Sequence, residues 1–346
     1  MTNFYIDAAA SPGGNGSIGS PWKTFAQSTA SGSGVGNGDI VRVKAGTYSE
    51  FVKLNKAGAS WIADNPAARP VIDGGYNASG IIGSSVNINM RVPHPTETKP
   101  LLDIAADNIT VDGIIVQNAP NNGVTVTAHN ATLKNFVIFF CYLNGFLCNA
   151  TKNPAMFNGL TVKNGKIFVT SLRYFDEGAV KPNGSPCGYR CQGGAGMLIG
   201  STNGPVLVED VEIAYNFGEG LDIDKDLIGT VANPVVFNRV KMHDANHTTT
   251  YFNQARGIIL KNSVSYWTTQ GATIHSGTNG EYNTNLRIKD ESEVFNATRD
   301  IQIYNCLFIN GGNGMIWGGN PSTTPDLRDG ARGTSTTNFY LGHNTF

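Results

Sequence analysis

One short pattern returns along most of this chain and limits what it can fold into. A few residues of apolar alternation are broken by a small or polar residue and then resume. The pattern reads Asn108-Ile-Thr-Val-Asp-Gly-Ile-Ile-Val, then Asn130-Ala-Thr-Leu-Lys-Asn-Phe-Val-Ile, and it returns from Gly159, Pro205, Pro234, Gly257, Asp300 and Asn338. Taking the interrupting residue as an anchor puts it at 113, 135, 164, 210, 239, 262, 305 and 343, with spacings of 22, 29, 46, 29, 23, 43 and 38. Alternation of period two is a strand signal, and self-similarity at a period of this size marks a solenoid. Spacings of 22 to 29 fit one coil, 46 fits two, and 43 and 38 fit a coil carrying an inserted loop.

A second alternation follows most anchors by about ten residues, often introduced by glycine. Examples are Gly123-Val-Thr-Val, Gly145-Phe-Leu-Cys, Gly196-Met-Leu-Ile, Gly220-Leu-Asp-Ile, Gly271-Ala-Thr-Ile and Gly314-Met-Ile-Trp. Two or three short strands per coil, stacked about 4.8 Å apart, describe an all-β chain. The expected fold is a single right-handed parallel β-helix. A β-sandwich would instead use antiparallel hairpins with Asn-Gly turns joining strands every 8–12 residues. Residues 1–75 read as the cap and first coils. Residues 76–346 read as the same helix continued, with insertions near 84–100, 176–194 and 276–298.

Composition agrees with repeated corners. Only 15% of residues are charged, while glycine numbers 42 and asparagine 37. Asparagine tolerates left-handed backbone at tight corners and can bond its copies above and below. The 25 basic and 26 acidic residues balance, which leaves no charge excess for gripping nucleic acid or an anionic membrane. No apolar run approaches the length of a membrane-spanning helix. The first residues carry neither the basic nor the apolar region of a secretory signal. Cys187 and Cys191, in a Gly/Pro-rich stretch, suit a small disulfide loop; Cys141, Cys148 and Cys306 read equally well as buried thiols.

The N-terminal segment carries a resemblance. Phe4-Tyr-Ile-Asp, Gly13-Gly-Asn-Gly-Ser, Ser20-Pro-Trp-Lys-Thr-Phe, Gly38-Asp-Ile-Val-Arg-Val and Ala45-Gly-Thr-Tyr-Ser-Glu follow one another. This succession resembles the opening of extracellular β-helix proteins of the pectin-lyase-like superfamily, in which a short N-terminal capping helix, here near residues 22–30, covers the end of the coil stack. The resemblance implies fold strongly and function weakly, because the superfamily mixes polysaccharide lyases, glycoside hydrolases, epimerases, phage tailspikes and non-catalytic surface proteins. Its pectate-type lyases pair an aspartate cluster with Ca²⁺ and use a Lys or Arg base.

Register turns the repeat into a candidate site. In the second strand of each coil the residues two and four after the glycine point away from the core. They are Asp222 and Asp224 after Gly220, Tyr251 and Asn253 by counting from anchor Arg239, and Thr273 and His275 after Gly271. The lower coils contribute Thr125, Leu147 and Leu198, which are blander. Abstracting a uronic-acid C5 proton needs a base, an acid for the leaving oxygen, and a neutraliser for the carboxylate. Asp222, Asp224, Tyr251 and His275 are the catalytic candidates, with Asn253, Thr273, Lys225 and Arg256 as substrate contacts. The run Asp222, Asp224, Asp226 is acidic enough for Ca²⁺, whereas a glycosidase would use a carboxylate pair. No lysine falls clearly on these ladders.

Plainer readings stand beside these. Alternating aspartates are often a solvated face, and Asp222, Asp224, Lys225 and Asp226 can form a local salt network. His243 and His247 have i, i+4 spacing, but in a strand-and-turn segment that makes a poor zinc site. Glu212 and Lys241, each two residues past successive anchors, read as a cross-coil ion pair of small energetic weight. The chain stops within a coil strand, so a longer natural chain or self-association at that end is expected. The leading expectation is an extracellular polysaccharide-binding and depolymerising protein with polysaccharide as partner, no nucleic acid and no membrane insertion. The alternative is a non-catalytic structural or adhesive protein, such as a tailspike, fibre or capsid-decoration subunit of a virion or a cell-surface filament component.

Overall fold

The computed structural model describes residues 1–76, 92–148, 158–176, 194–200, 204–224, 232–253, 255–268, 284–290, 299–311, 313–319 and 339–346. The strand pairings in this set run parallel and connect one coil to the next. Eighteen strands form one sheet and nine another. The larger sheet turns a corner at the anchors, because Leu160–Phe168 and Val206–Ala214 run straight through Asn164 and Asp210. Each coil therefore presents three faces: a strand before the anchor, one after it, and one in the nine-stranded sheet. The architecture is a right-handed parallel β-helix.

The corner chemistry explains the repeat. All eight anchors hold left-handed backbone, with φ of 80° at Gly113, 53° at Asn135, 52° at Asn164, Asn262 and Asn305, and 55° at Asp210, Arg239 and His343. Asparagine is the least strained side chain for this conformation after glycine. The amides also bond along the stack. Asn262 donates to Asn238 at 2.8 Å and accepts from Asn305 at 2.6 Å, while Asn135 donates to Asp112 at 2.7 Å.

One coil length differs from expectation. Leu160–Phe168 pairs residue for residue with Val206–Ala214, so anchors 164 and 210 belong to adjacent coils. The 46-residue spacing is one coil with an insertion before Ala195–Ile199, not two coils. In the coil of anchor 262, the nine-stranded sheet takes Thr284–Asp290.

Inward positions are apolar and close-packed. Trp61, Phe146, Phe237 and Phe252 are fully buried, with Val, Ile and Leu between them; each such side chain contributes about 1.5–3 kcal/mol by leaving water. The end of the stack is covered by helix Phe25–Thr29, opened by a capping box between Thr24 and Gln27. Phe25 is fully buried beneath it, and the Trp61 indole donates to Ser28 at 3.1 Å. Cys141, Cys148 and Cys306 are buried free thiols; burial pushes Cys306 up to about 11. Cys187 and Cys191 lie outside the described residues, in which no helix is long and apolar enough to cross a membrane.

Candidate functional site

The outward column of the nine-stranded sheet is continuous. It runs Lys53, Asp103, Thr125, Leu147, Leu198, Asp222, Tyr251, Arg287 and Ile316, one residue per coil. The neighbouring column runs Asp224, Asn253 and Lys289. The structure thus brings Asp222 beside Tyr251 and Asp224 beside Asn253, as the register predicts. The next coil departs from it. Arg287 and Lys289 occupy the positions expected for Thr273 and His275, which lie outside the described residues with Lys225 and Asp226. The basic residue missing from these ladders in the sequence reading is therefore present, contributed by a strand that the glycine pattern did not mark.

Outward in register does not mean open to water. Asp222 is 7% exposed, Tyr251 6%, Asn253 4% and Arg287 9%. Charged groups this buried interact strongly with their neighbours and are held by hydrogen bonds. Arg287 shows how. Its guanidinium lies over the Tyr251 ring at 5.7 Å, a cation–π contact. Its Nη1 donates to His247 Nε2 at 3.0 Å, and His247 Nδ1 meets Glu219 Oε1 at 2.7 Å. Arginine only donates, so Nε2 must accept and the ring proton sits on Nδ1, donated to Glu219. Arg287 Nε has no hydrogen-bond partner among the described residues. Arg256 lies elsewhere, at the start of strand Arg256–Lys261 in the larger sheet, and is half-buried.

Calcium was expected at Asp222, Asp224 and Asp226. Asp226 falls outside the described residues, and no group of three or more potential metal ligands occurs among the described ones. His243, the other half of the His-x3-His pair, is buried and bonded to Asp244 at 2.8 Å and Glu212 at 3.2 Å. His247 faces Glu219 and Arg287 instead.

A second cluster escaped the sequence reading. His94 Nδ1 lies 2.6 Å from the buried Asp176 carboxylate, which also accepts from the Tyr142 hydroxyl. Burial and that hydrogen bond raise the Tyr142 phenol above its ordinary value. Tyr76 donates to Pro93 O at 2.8 Å, and Val92 N to Phe175 O at 3.2 Å. The described edges of two insertions are thus laced together over an aromatic cluster that includes Tyr76, Tyr142, Tyr174, Phe175 and Phe217.

No family model and no curated protein matches the sequence. Solved structures do match in shape. A pectate lyase, Pel9A, superposes with a TM-score of 0.60 at 15% identity, covering 100% of this chain and 77% of that one. Dettilon tailspike protein gives 0.44 at 11% identity over 88% and 59%, and a rhamnogalacturonan lyase 0.44 at 12% over 94% and 89%. The chain shares its parallel β-helix fold with the pectate lyase Pel9A.

Proposed function

We propose that this chain binds an acidic polysaccharide and cleaves it, by elimination or by hydrolysis, outside a cell or on a cell or virion surface. The observation that carries the reading is the succession Asp222, Tyr251, Arg287 on three stacked coils, a carboxylate, a phenol and a guanidinium in a nearly dry setting. In β-elimination at a uronic acid a base takes the C5 proton. The C4–O4 bond then breaks as the C4–C5 double bond forms, and O4 leaves with a proton. Arg287 supplies fixed positive charge for the sugar carboxylate, whose neutralisation makes the C5 proton easier to remove. Tyr251 gives the proton to O4, with Asp222 as the base. Hydrolysis would instead use Asp222 and Asp224 as the carboxylate pair.

Asn253 and Lys225 belong to the proposal as sugar contacts. So does Ca²⁺ on Asp222, Asp224 and Asp226, which when bound would add positive charge for the substrate carboxylate. The test is incubation with a panel of uronate-containing polysaccharides, with and without chelator, following new unsaturated ends by absorbance and new reducing ends. The expected result is product from the native chain, with Asp222→Asn and Tyr251→Phe each slower by about 100-fold. No product and no binding across the panel would overturn this reading and leave the structural or adhesive one.

A further inference from the structure

We propose that His247 is a proton-operated switch on Arg287, so that an anion held by this guanidinium is bound more tightly as the imidazole takes up a proton. The inference rests on the reading of Arg287 as the carboxylate-binding residue, and it adds the regulation of that same site. Four groups define the switch. Glu219, from strand Glu219–Asp224, meets His247 Nδ1 at 2.7 Å. Arg287, from Thr284–Asp290, meets Nε2 at 3.0 Å. Tyr251, from Thr250–Asn253, sets its ring edge-on to the imidazole at 6.5 Å and lies under the guanidinium. Asp222 stands on the far side of Tyr251 in the ladder.

The 3.0 Å contact exists only while the imidazole is neutral. Nε2 then offers a lone pair, which an Arg287 N–H fills. When Nε2 takes a proton it becomes a donor facing a donor, and two cations lie in contact. The Arg287 N–H loses its acceptor inside a site that is nine-tenths buried, where an unmade hydrogen bond is costly. An incoming carboxylate repairs this. It accepts from the guanidinium and from the new Nε2–H together, and its charge offsets both cations. Glu219 remains on Nδ1 throughout and holds the ring in orientation. Protonation and anion binding therefore favour each other, and by linkage each raises the affinity of the other. The Arg287 Nε, without a partner among the described residues, is a further donor for the same anion.

The test uses the full chain and two probes, sulfate and an oligogalacturonate. Nitrogen NMR of the His247 ring is expected to report the Nδ1–H tautomer near neutral pH, and each bound anion should raise the pH at which the ring titrates. Anion affinity should rise about tenfold between pH 8 and pH 5 in the native chain, within the usual span of site-to-site coupling. In His247→Gln, which keeps an acceptor for Arg287 but cannot titrate, the pH dependence should fall below about twofold. Arg287→Met should abolish the anion effect on the ring, and Arg287→Lys should restore part of it. A ring already protonated at pH 8 without anion overturns the proposal. So does an unchanged pH dependence in His247→Gln, or the absence of any anion effect on the ring. Coupling to sulfate with no oligogalacturonate binding would sink the glycan reading and leave the switch standing. Glycan cleavage without coupling would do the reverse.

Discussion

The lower and upper coils solve the same corner in opposite ways. In three of the lower coils the strand of the nine-stranded sheet is entered through Gly123, Gly145 or Gly196, and an isoleucine stands against each together with a backbone carbonyl of the next coil. A Cβ on Gly123 would lie 2.7 Å from Ile138 Cγ2, one on Gly145 2.4 Å from Ile167 Cγ2, and one on Gly196 2.5 Å from Ile213 Cγ2. In the upper coils the isoleucine column continues as Met242 and Ser265. The glycine column becomes Thr249 and Asn285, both buried. Their side chains occupy the room that Ser265 leaves. The Thr249 and Ser265 hydroxyls bond each other and reach the Asn285 carbonyl at 2.7 and 3.1 Å, and the Asn285 amide donates to Ile309 O at 3.2 Å. Tyr251 and Arg287 stand two residues beyond Thr249 and Asn285. The coils carrying the candidate site thus place hydrogen-bonding hydroxyls and an amide where the lower coils set isoleucine against glycine, while buried asparagines such as Asn122 and Asn144 bond from coil to coil lower down.

The sharpest way to break this comparison is to put a side chain where the lower coils forbid one. Gly145→Ala should cost about 3 kcal/mol, since its Cβ would meet both Ile167 and the Gly196 carbonyl, 2.7 Å away. Adding Ile167→Ser, the substitution the upper coils already contain, should recover about 1 kcal/mol or more of that loss. Denaturant unfolding of the two single variants and the double variant measures the coupling. Strict additivity would show that isoleucine is not what excludes the side chain.

Ser265→Ala tests the other half with a smaller expected effect. It removes one hydroxyl from a fully buried cluster while Thr249 keeps its bond to Asn285, so the cost should be about 1–2 kcal/mol. If the cluster positions the site, the His247 ring signals should shift although His247 does not touch Ser265. Loss of stability with unchanged ring signals would limit the cluster to a packing role.

The same contrast explains what could be read in advance. The eight anchors were legible because a left-handed corner is a local demand, met by asparagine at Asn135, Asn164, Asn262 and Asn305 and by glycine at Gly113. The Asp222–Tyr251 pairing was legible because the spacing from Asp210 to Arg239 is free of insertions. Thr273 and His275 were misplaced because glycine does not mark every coil. Thr249 and Asn285 stand in the glycine column beside Ser265, and Gly271 imitates the expected signal. His94 and Asp176 are 82 residues apart and meet through insertions that follow no period. Ion pairing fared better, since Glu212 and Lys241 do meet, at 2.7 Å.

The smallest predicted effect lies on the outward side of strand Val206–Ala214, beside Ile213. Glu212 sits between Lys166 at 2.9 Å and Lys241 at 2.7 Å, with His243 at 3.2 Å. Burial disfavours its charge, but hydrogen bonds from Lys241, Lys166 and His243 outweigh that and hold the carboxyl at about 2. Because this lies below the unfolded-chain value of 4.5, the stabilisation is present above pH 4.5 and is lost as pH falls from there toward 2. Lys166 and Lys241 are 62% and 45% exposed, so water screens the ladder and the loss should be about 1 kcal/mol or less. Glu212→Gln should flatten this part of the acid unfolding profile and leave glycan cleavage at the native rate. A variant that lost cleavage would show that charge on this outward ladder matters to the site as well. The alternating-sign ladder would then no longer differ in kind from Asp222, Tyr251 and Arg287.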